Sequence, residues 1–168
     1  MIVWLLGISG AGKSTLGNKL KSYYDSKNIQ SCIIDGDIVR DFFENDLGFS
    51  KEDRVSNIKR IMLSAYLLEQ NNIIPIVCNI SPFQELRDFS KKKFNIYLEI
   101  YLKKEISIAQ NNDVKSVYKT NNNKTPLVGV NLKFDKPLNS DLILNVDEEE
   151  VEVSFEKLIC FLESRRKI

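Results

Sequence analysis

The residues best suited to chemistry come early in the chain. Gly7-Ile8-Ser9-Gly10-Ala11-Gly12-Lys13-Ser14 fits the pattern G-x-x-x-x-G-K-[ST]. Glycines in such a loop let backbone N–H groups converge on phosphate oxygens. A helix opening at Lys13 adds the partial positive charge of its N-terminus. Lys13 can reach the β- and γ-phosphates of a nucleotide, and Ser14 can offer its hydroxyl to Mg²⁺. Gly7, Ser9, Gly10, Ala11, Gly12, Lys13, Ser14 and Thr15 are therefore the expected nucleotide-binding set, with Ser14 as metal ligand. The loop points to a nucleoside triphosphate. It leaves open whether the chain is a small-molecule kinase or an NTP-driven switch or motor.

A second group bears on that choice. Asp35-Gly36-Asp37 ends an apolar run, and in a parallel sheet ligands gather at the carboxyl ends of the strands. One carboxylate can accept a proton from an attacking hydroxyl, and the other can hold Mg²⁺ through water. Arg40, Arg54, Asn57 and Arg60 follow; Arg54 and Asn57, three apart, share a helix face. Two arginines near one crevice suit a polyanionic acceptor, because a guanidinium grips phosphate in a fork. A guanine-reading switch would carry N-K-x-D late in the chain, but Asn123-Lys124 is followed by Thr125-Pro126. A motor would end a strand in a metal-binding aspartate, where this chain has Asn79-Ile80-Ser81. These features favour a kinase.

Positioning such groups requires alternating strands and helices, and the chain reads that way. Met1 to Leu6, Ser31 to Ile34, Ile73 to Ile80, Ile96 to Leu102 and Asp141 to Val146 are short apolar runs expected to be strands. Helices are expected from Lys13 to about Ser26, Ile38 to Asn45, Lys51 to Asn71, Lys104 to Gln110 and Glu149 to about Arg165. The third carries Ile58, Ile61, Met62, Ala65 and Leu68 on one face. Pro82 stands at a favourable helix start. Strands apolar on both faces that alternate with helices predict an α/β fold, a parallel sheet covered on both sides. The stretch from 111 to 140 lacks periodicity and reads as a lid or binding loop within one domain spanning 1–168.

Composition excludes several other classes. The chain has 168 residues, a net charge of +1 and no histidine. Near-neutrality disfavours a nucleic-acid binder, and without histidine there is no imidazole triad, imidazole base or histidine metal site. Cys32, Cys78 and Cys160 are too scattered for a zinc ribbon or a C-x-x-C redox site. Their odd number, a six-residue apolar start too short for a signal peptide, and the lack of a 20-residue apolar span suggest a reduced, cytoplasmic protein with no membrane partner.

Three blocks carry a family resemblance. Ile33-Ile34-Asp35-Gly36-Asp37-Ile38-Val39-Arg40, then Leu47-Gly48-Phe49-Ser50-Lys51-Glu52-Asp53-Arg54 with Asn57-Ile58, then Ile80-Ser81-Pro82 resemble adenylyl-sulfate kinases in order and spacing. Those enzymes phosphorylate the ribose 3′-hydroxyl of adenylyl sulfate with Mg·ATP. The resemblance implies a P-loop kinase fold with five parallel strands, ATP and Mg²⁺ as cofactors, and a small nucleotide acceptor; dimers are common in the family. It implies Asp37 as base with Lys13 and Asp35 beside it. It implies Arg40, Phe49, Arg54, Asn57, Ile80 and Ser81 as acceptor contacts, and a phosphoserine role has been ascribed to the serine matching Ser81.

The departures from the family pattern shape the expected acceptor. Leu127-Val128-Gly129-Val130-Asn131 replaces F-T-G-I-D, so a stacking phenylalanine is lost opposite Phe49. Asn79 replaces the phenylalanine of F-I-S-P, and Asn112 replaces an arginine of the block that continues through Lys115. An aromatic stack on a base is worth about 1–3 kcal/mol, so half a sandwich favours a smaller base. The expected acceptor is therefore cytidine diphosphoramidate, as used by a related kinase of capsule biosynthesis, with Asn79 or Asn131 reading the pyrimidine edge and Lys115 and Leu127 lining the acceptor site. Adenylyl sulfate is the alternative.

Overall fold

The computed structural model of this chain describes residues 1–111 and 126–166. Five strands form one sheet: β1 (Ile2–Leu6), β2 (Ser31–Asp35), β3 (Ile74–Cys78), β4 (Tyr97–Lys103) and β5 (Leu142–Asn145). Their order is β2-β3-β1-β4-β5, and every pairing is parallel. The helices among the described residues are α1 (Lys13–Ser26), α2 (Gly36–Phe42), α3 (Lys51–Gln70), α4 (Gln84–Lys93), α5 (Ile106–Asn111) and α6 (Val151–Arg166). The expected α/β fold with a five-stranded parallel sheet is therefore the observed one.

The central strand shows why the strands read as unbroken apolar runs. Val3 and Leu5 face a layer with Leu16 and Leu20 of α1 and Leu158 and Leu162 of α6. Ile2, Trp4 and Leu6 face the opposite layer with Ile58, Ile61, Met62 and Ala65 of α3 and Leu86 of α4. Side chains alternate between faces, and both faces are covered, so neither parity can be polar. The α1 helix packs hard on β3: a Cβ at Gly17 would lie 2.5 Å from Cys78 Sγ. Only a residue without a side chain allows that approach.

Helices α5 and α6 start two residues later than expected, at Ile106 and Val151, and two other starts differ for visible reasons. The α2 helix begins at Gly36, because Asp35 caps it: Asp35 Oδ1 accepts from Asp37 N at 2.9 Å. Pro82 does not open α4, whose N-cap is Phe83. Ser81 just before it has a φ of +49°, so the chain turns sharply before the helix starts. No helix among the described residues is long and apolar enough to cross a membrane. All three cysteines are free thiols.

Candidate active site

The site lies at the carboxyl ends of β1, β2 and β3. After β1 the loop from Gly7 to Gly12 turns into α1, with Gly10 and Gly12 at φ of +77° and +86°. Those left-handed values favour glycine and aim successive N–H groups inward. Gly12 is the N-cap of α1 and supplies no side-chain cap, which leaves the first-turn N–H groups to an anion. Lys13 folds over the loop; its Nζ donates to the carbonyls of Gly7 at 2.9 Å and Ile8 at 2.8 Å. Its ammonium thus stands at the mouth of the loop. Gly7 itself is pressed on β4, where a Cβ would lie 2.6 Å from the Leu102 carbonyl oxygen.

The next strand end supplies the carboxylates. Ser14 Oγ donates to Asp35 Oδ2 at 2.7 Å. A hydroxyl and a carboxylate oxygen from separate elements converge there, a pair of hard ligands suited to Mg²⁺. With Oδ1 capping α2, both oxygens of Asp35 are committed. Asp37 sits in the first turn of α2 with its side chain exposed. The two carboxylates therefore occupy different settings.

The arginines form the other wall. Arg40 is buried, and its Nη1 donates to the carbonyls of Leu47 at 3.0 Å and Gly48 at 2.8 Å. Arg54 Nε donates to the Phe49 carbonyl at 3.0 Å and its Nη2 to that of Pro126 at 2.6 Å. Both guanidiniums lie against the Phe49 ring, at 4.7 Å and 5.2 Å from its centroid. Burial lowers the pKa of Arg40, against the pull of Asp37 and Asp53. Burial, helped by repulsion from Arg40, lowers that of Arg54 to about 10. Two cations held together, hydrogen-bonded to neutral carbonyls, gain most from an anion that reaches both. Arg60 takes no part; it forms a fork with Asp46 at 2.7 Å and covers the Phe43 ring.

The remaining expected residues divide. Asn57 is buried, and its Nδ2 donates to the Gly36 carbonyl at 3.3 Å, so it braces the Asp35–Asp37 turn. Ile80 follows β3 and donates its N–H to Asn79 Oδ1 at 2.9 Å. Ser81 is buried, and its Oγ accepts from Trp4 Nε1 at 2.8 Å. A hydroxyl so enclosed weighs against the phosphoserine role ascribed to the matching serine, which direct in-line transfer does not need. Leu127 opens a turn that closes at Leu132, and the Arg54–Pro126 contact brings this turn to the Phe49 wall. Lys115, Asn112 and the rest of residues 112–125 of the expected lid lie outside the described residues. Sequence reasoning missed Trp4 and Arg87, which together hold Ser81 (Arg87 Nη1 to the Ser81 carbonyl, 2.7 Å). Neither carries a local motif; their partners are distant in the chain.

The two asparagines expected to read a pyrimidine edge both have their amide oxygens engaged. Asn131 Oδ1 accepts from Leu127 N at 2.5 Å and so closes its own turn. Asn79 Oδ1 takes the Ile80 N–H, and its Nδ2 is buried.

Comparison with known proteins gives a consistent result. The family model described as Adenylylsulphate kinase matches residues 1–145. The adenylyl-sulfate kinase of Halothermothrix orenii is 36% identical over 97% of this chain and 89% of its own length. That of Picosynechococcus sp. is 35% identical over 94% of this chain and 90% of its own. Among solved structures, the APS kinase of Mycobacterium tuberculosis in complex with AMPPNP and APS superposes with a TM-score of 0.90, at 28% identity and 96% coverage of both chains. The relatives' shared designation overturns the expected cytidine diphosphoramidate acceptor and the capsule role. With its phosphate loop, paired aspartates and arginine wall in one crevice, the chain belongs to the adenylyl-sulfate kinase family, phosphotransferases that act on a hydroxyl acceptor.

Proposed function

We propose that this chain transfers the γ-phosphoryl group of ATP to the ribose 3′-hydroxyl of adenylyl sulfate, as a single kinase domain over residues 1–168. The observation that carries this reading is the crevice itself: an uncapped helix N-terminus with Lys13 on one side, and the Arg40–Phe49–Arg54 wall on the other, with Asp35 and Asp37 between them.

The roles follow from position. Gly7 to Gly12 cradle the ATP phosphates through backbone N–H groups, and Lys13 swings from its carbonyl partners onto the transferred group. Ser14 and Asp35, already 2.7 Å apart, are the groups that would hold Mg²⁺, whose chemistry is to neutralise charge on the phosphate oxygens. Asp37, with its exposed carboxylate, takes the proton of the acceptor hydroxyl. Arg40 and Arg54 grip the anionic phosphate–sulfate tail, and that pairing restores their lowered basicity. The Phe49 ring, 43% exposed, supports the adenine, and Leu127 covers part of the opposite side.

The test is an ADP-release assay with adenylyl sulfate, AMP and CDP offered separately under the same Mg·ATP concentration. The proposal expects adenylyl sulfate to be preferred by tenfold or more in kcat/KM, about 1.4 kcal/mol of transition-state binding. A preference for AMP or CDP would show that the arginine wall does not read the sulfated tail.

A further inference from the structure

Directly after β3 the chain takes a turn that a residue with a side chain resists. Ser81 has a φ of +49°, a left-handed conformation that L-residues rarely hold without support. The support comes from the core, at both ends of the residue. Trp4 Nε1 donates to Ser81 Oγ at 2.8 Å, and Arg87 Nη1 donates to the Ser81 carbonyl at 2.7 Å. Trp4 and Arg87 are each 1% exposed.

Arg87 reaches further. Its Nη2 donates to the Asp135 carbonyl at 2.6 Å and to Gln84 Oε1 at 2.5 Å. Asp135 in turn donates its N–H to the Pro82 carbonyl at 2.9 Å. One guanidinium therefore joins the turn after β3 to the segment that leaves the Leu127–Leu132 turn. Glu99, fully buried on β4, lies 3.9 Å from Arg87 Nε, and Lys91 lies 3.6 Å from the same carboxylate. A buried ion pair of this length, with Arg87 Nε lacking a hydrogen-bond partner among the described residues, is a poor way to stabilise a core. Apolar side chains of like volume often do better. What the arrangement secures is geometry.

That geometry belongs to one side of the crevice. Asp35 pairs with Cys78 across the sheet, and a Cβ at Gly36 would lie 3.0 Å from Asn79 Oδ1. The Asn79–Ser81 segment thus backs the Asp35–Asp37 turn. Trp4 faces the α3 and α4 layer, opposite α1 and its phosphate loop.

We propose that Trp4 and Arg87, the latter balanced by Glu99, are positioning residues for the acceptor: a buried cradle that fixes Ser81 and, through it, the backbone against which the acceptor is held. This rests on the adenylyl-sulfate kinase reading above. The cradle acts on the acceptor side and leaves ATP binding alone.

The experiment measures KM and kcat for adenylyl sulfate and for ATP separately in Trp4→Phe and Arg87→Lys. Trp4→Phe keeps an aromatic ring in the core and removes the donor to Ser81 along with part of the indole's bulk. Arg87→Lys keeps a cation beside Glu99 and loses the fork that spans Ser81 and Asp135. Each variant is expected to raise KM for adenylyl sulfate about tenfold while KM for ATP stays within twofold. Because Trp4 is the only tryptophan, its emission also reports the cradle without substrate, and Arg87→Lys is expected to shift it. An unchanged acceptor KM in a cooperatively folded variant would overturn the proposal, as would equal losses for both substrates. If Arg87→Lys fails to fold, Trp4→Phe decides alone. Failure of the unsubstituted protein to phosphorylate adenylyl sulfate would overturn the functional reading instead. The cradle then stands or falls on whether the Trp4 emission of Arg87→Lys moves.

Discussion

Replacing Asp37 with asparagine separates the two carboxylates most sharply. Asp37 has an exposed side chain in the first turn of α2, and its backbone N–H is what Asp35 caps. Asparagine keeps that N–H and nearly the same volume, so the fold should lose no more than about 0.5 kcal/mol, the usual range for a surface change. What disappears is the proton acceptor. General-base catalysis contributes about 10²–10⁴-fold, or about 2.7–5.4 kcal/mol of barrier. Asp35→Asn is the control with the opposite signature. Asp35 receives Ser14 Oγ at 2.7 Å and Asp37 N at 2.9 Å. Asparagine caps a helix about as well as aspartate, so the change should act chiefly by raising the Mg²⁺ concentration needed for half-maximal rate. The assay is ADP release at saturating ATP and adenylyl sulfate over a Mg²⁺ series, with affinity for an ATP analogue measured by calorimetry. Asp37→Asn should lose at least 100-fold in kcat at every Mg²⁺ concentration and bind the analogue within threefold of the parent. Recovery of its rate by added Mg²⁺, or a loss under tenfold, would refute the assignment and make Asp37 a metal ligand.

Other perturbations probe the rest of the site. Lys13→Ala should reduce kcat by at least 100-fold with an unchanged melting curve, since electrostatic groups aimed at the transferring phosphoryl act at that scale; a rate within threefold of the parent would remove Lys13 from the chemistry. Leu127→Phe should lower KM for adenylyl sulfate by roughly fivefold or more, since a stack on a base is worth about 1–3 kcal/mol; no change in KM would place that side chain away from the adenine. Burial, with repulsion from Asp35, pushes the Cys78 thiol up to about 12 from an unfolded value of 9.0. In the folded protein at pH 8, maleimide should therefore label exposed Cys160 and spare Cys78 until denaturant is added. The folded state keeps the Cys78 proton that the unfolded state gives up above pH 9, so stability should fall as pH rises from about 9 toward 12. Cys78→Ala should flatten that part of a denaturation–pH profile.

Much of the fold was legible because its causes are local. The loop from Gly7 to Ser14 carries its own geometry, and helix α1 begins at Lys13 as its pattern requires. The strands were recognisable as apolar runs because both faces of the sheet are covered. What escaped depends on partners far along the chain. Pro82 resembles a helix start, but its carbonyl is taken by Asp135 N, and Ser81 before it is bent left-handed by Trp4 and Arg87. Helix α2 starts earlier than its hydrophobic pattern suggests, because an aspartate side chain caps it. Asn79 and Asn131 have the polarity to read a base, and residue type alone cannot reveal that their oxygens are taken by Ile80 and Leu127. The cytidine diphosphoramidate acceptor is overturned by the designation its relatives share; the loss of one aromatic ring opposite Phe49 does not by itself select a base.

The central claim is that phosphate arrives on the ribose 3′-oxygen of adenylyl sulfate. The most direct measurement incubates the protein with Mg·ATP and adenylyl sulfate and assigns the product by ³¹P and ¹H NMR. A new phosphomonoester resonance coupled to H3′ is expected, with the sulfate–phosphate anhydride intact and one ADP formed per product. Phosphate coupled to another proton, or ADP and inorganic phosphate appearing with adenylyl sulfate unchanged, would contradict it.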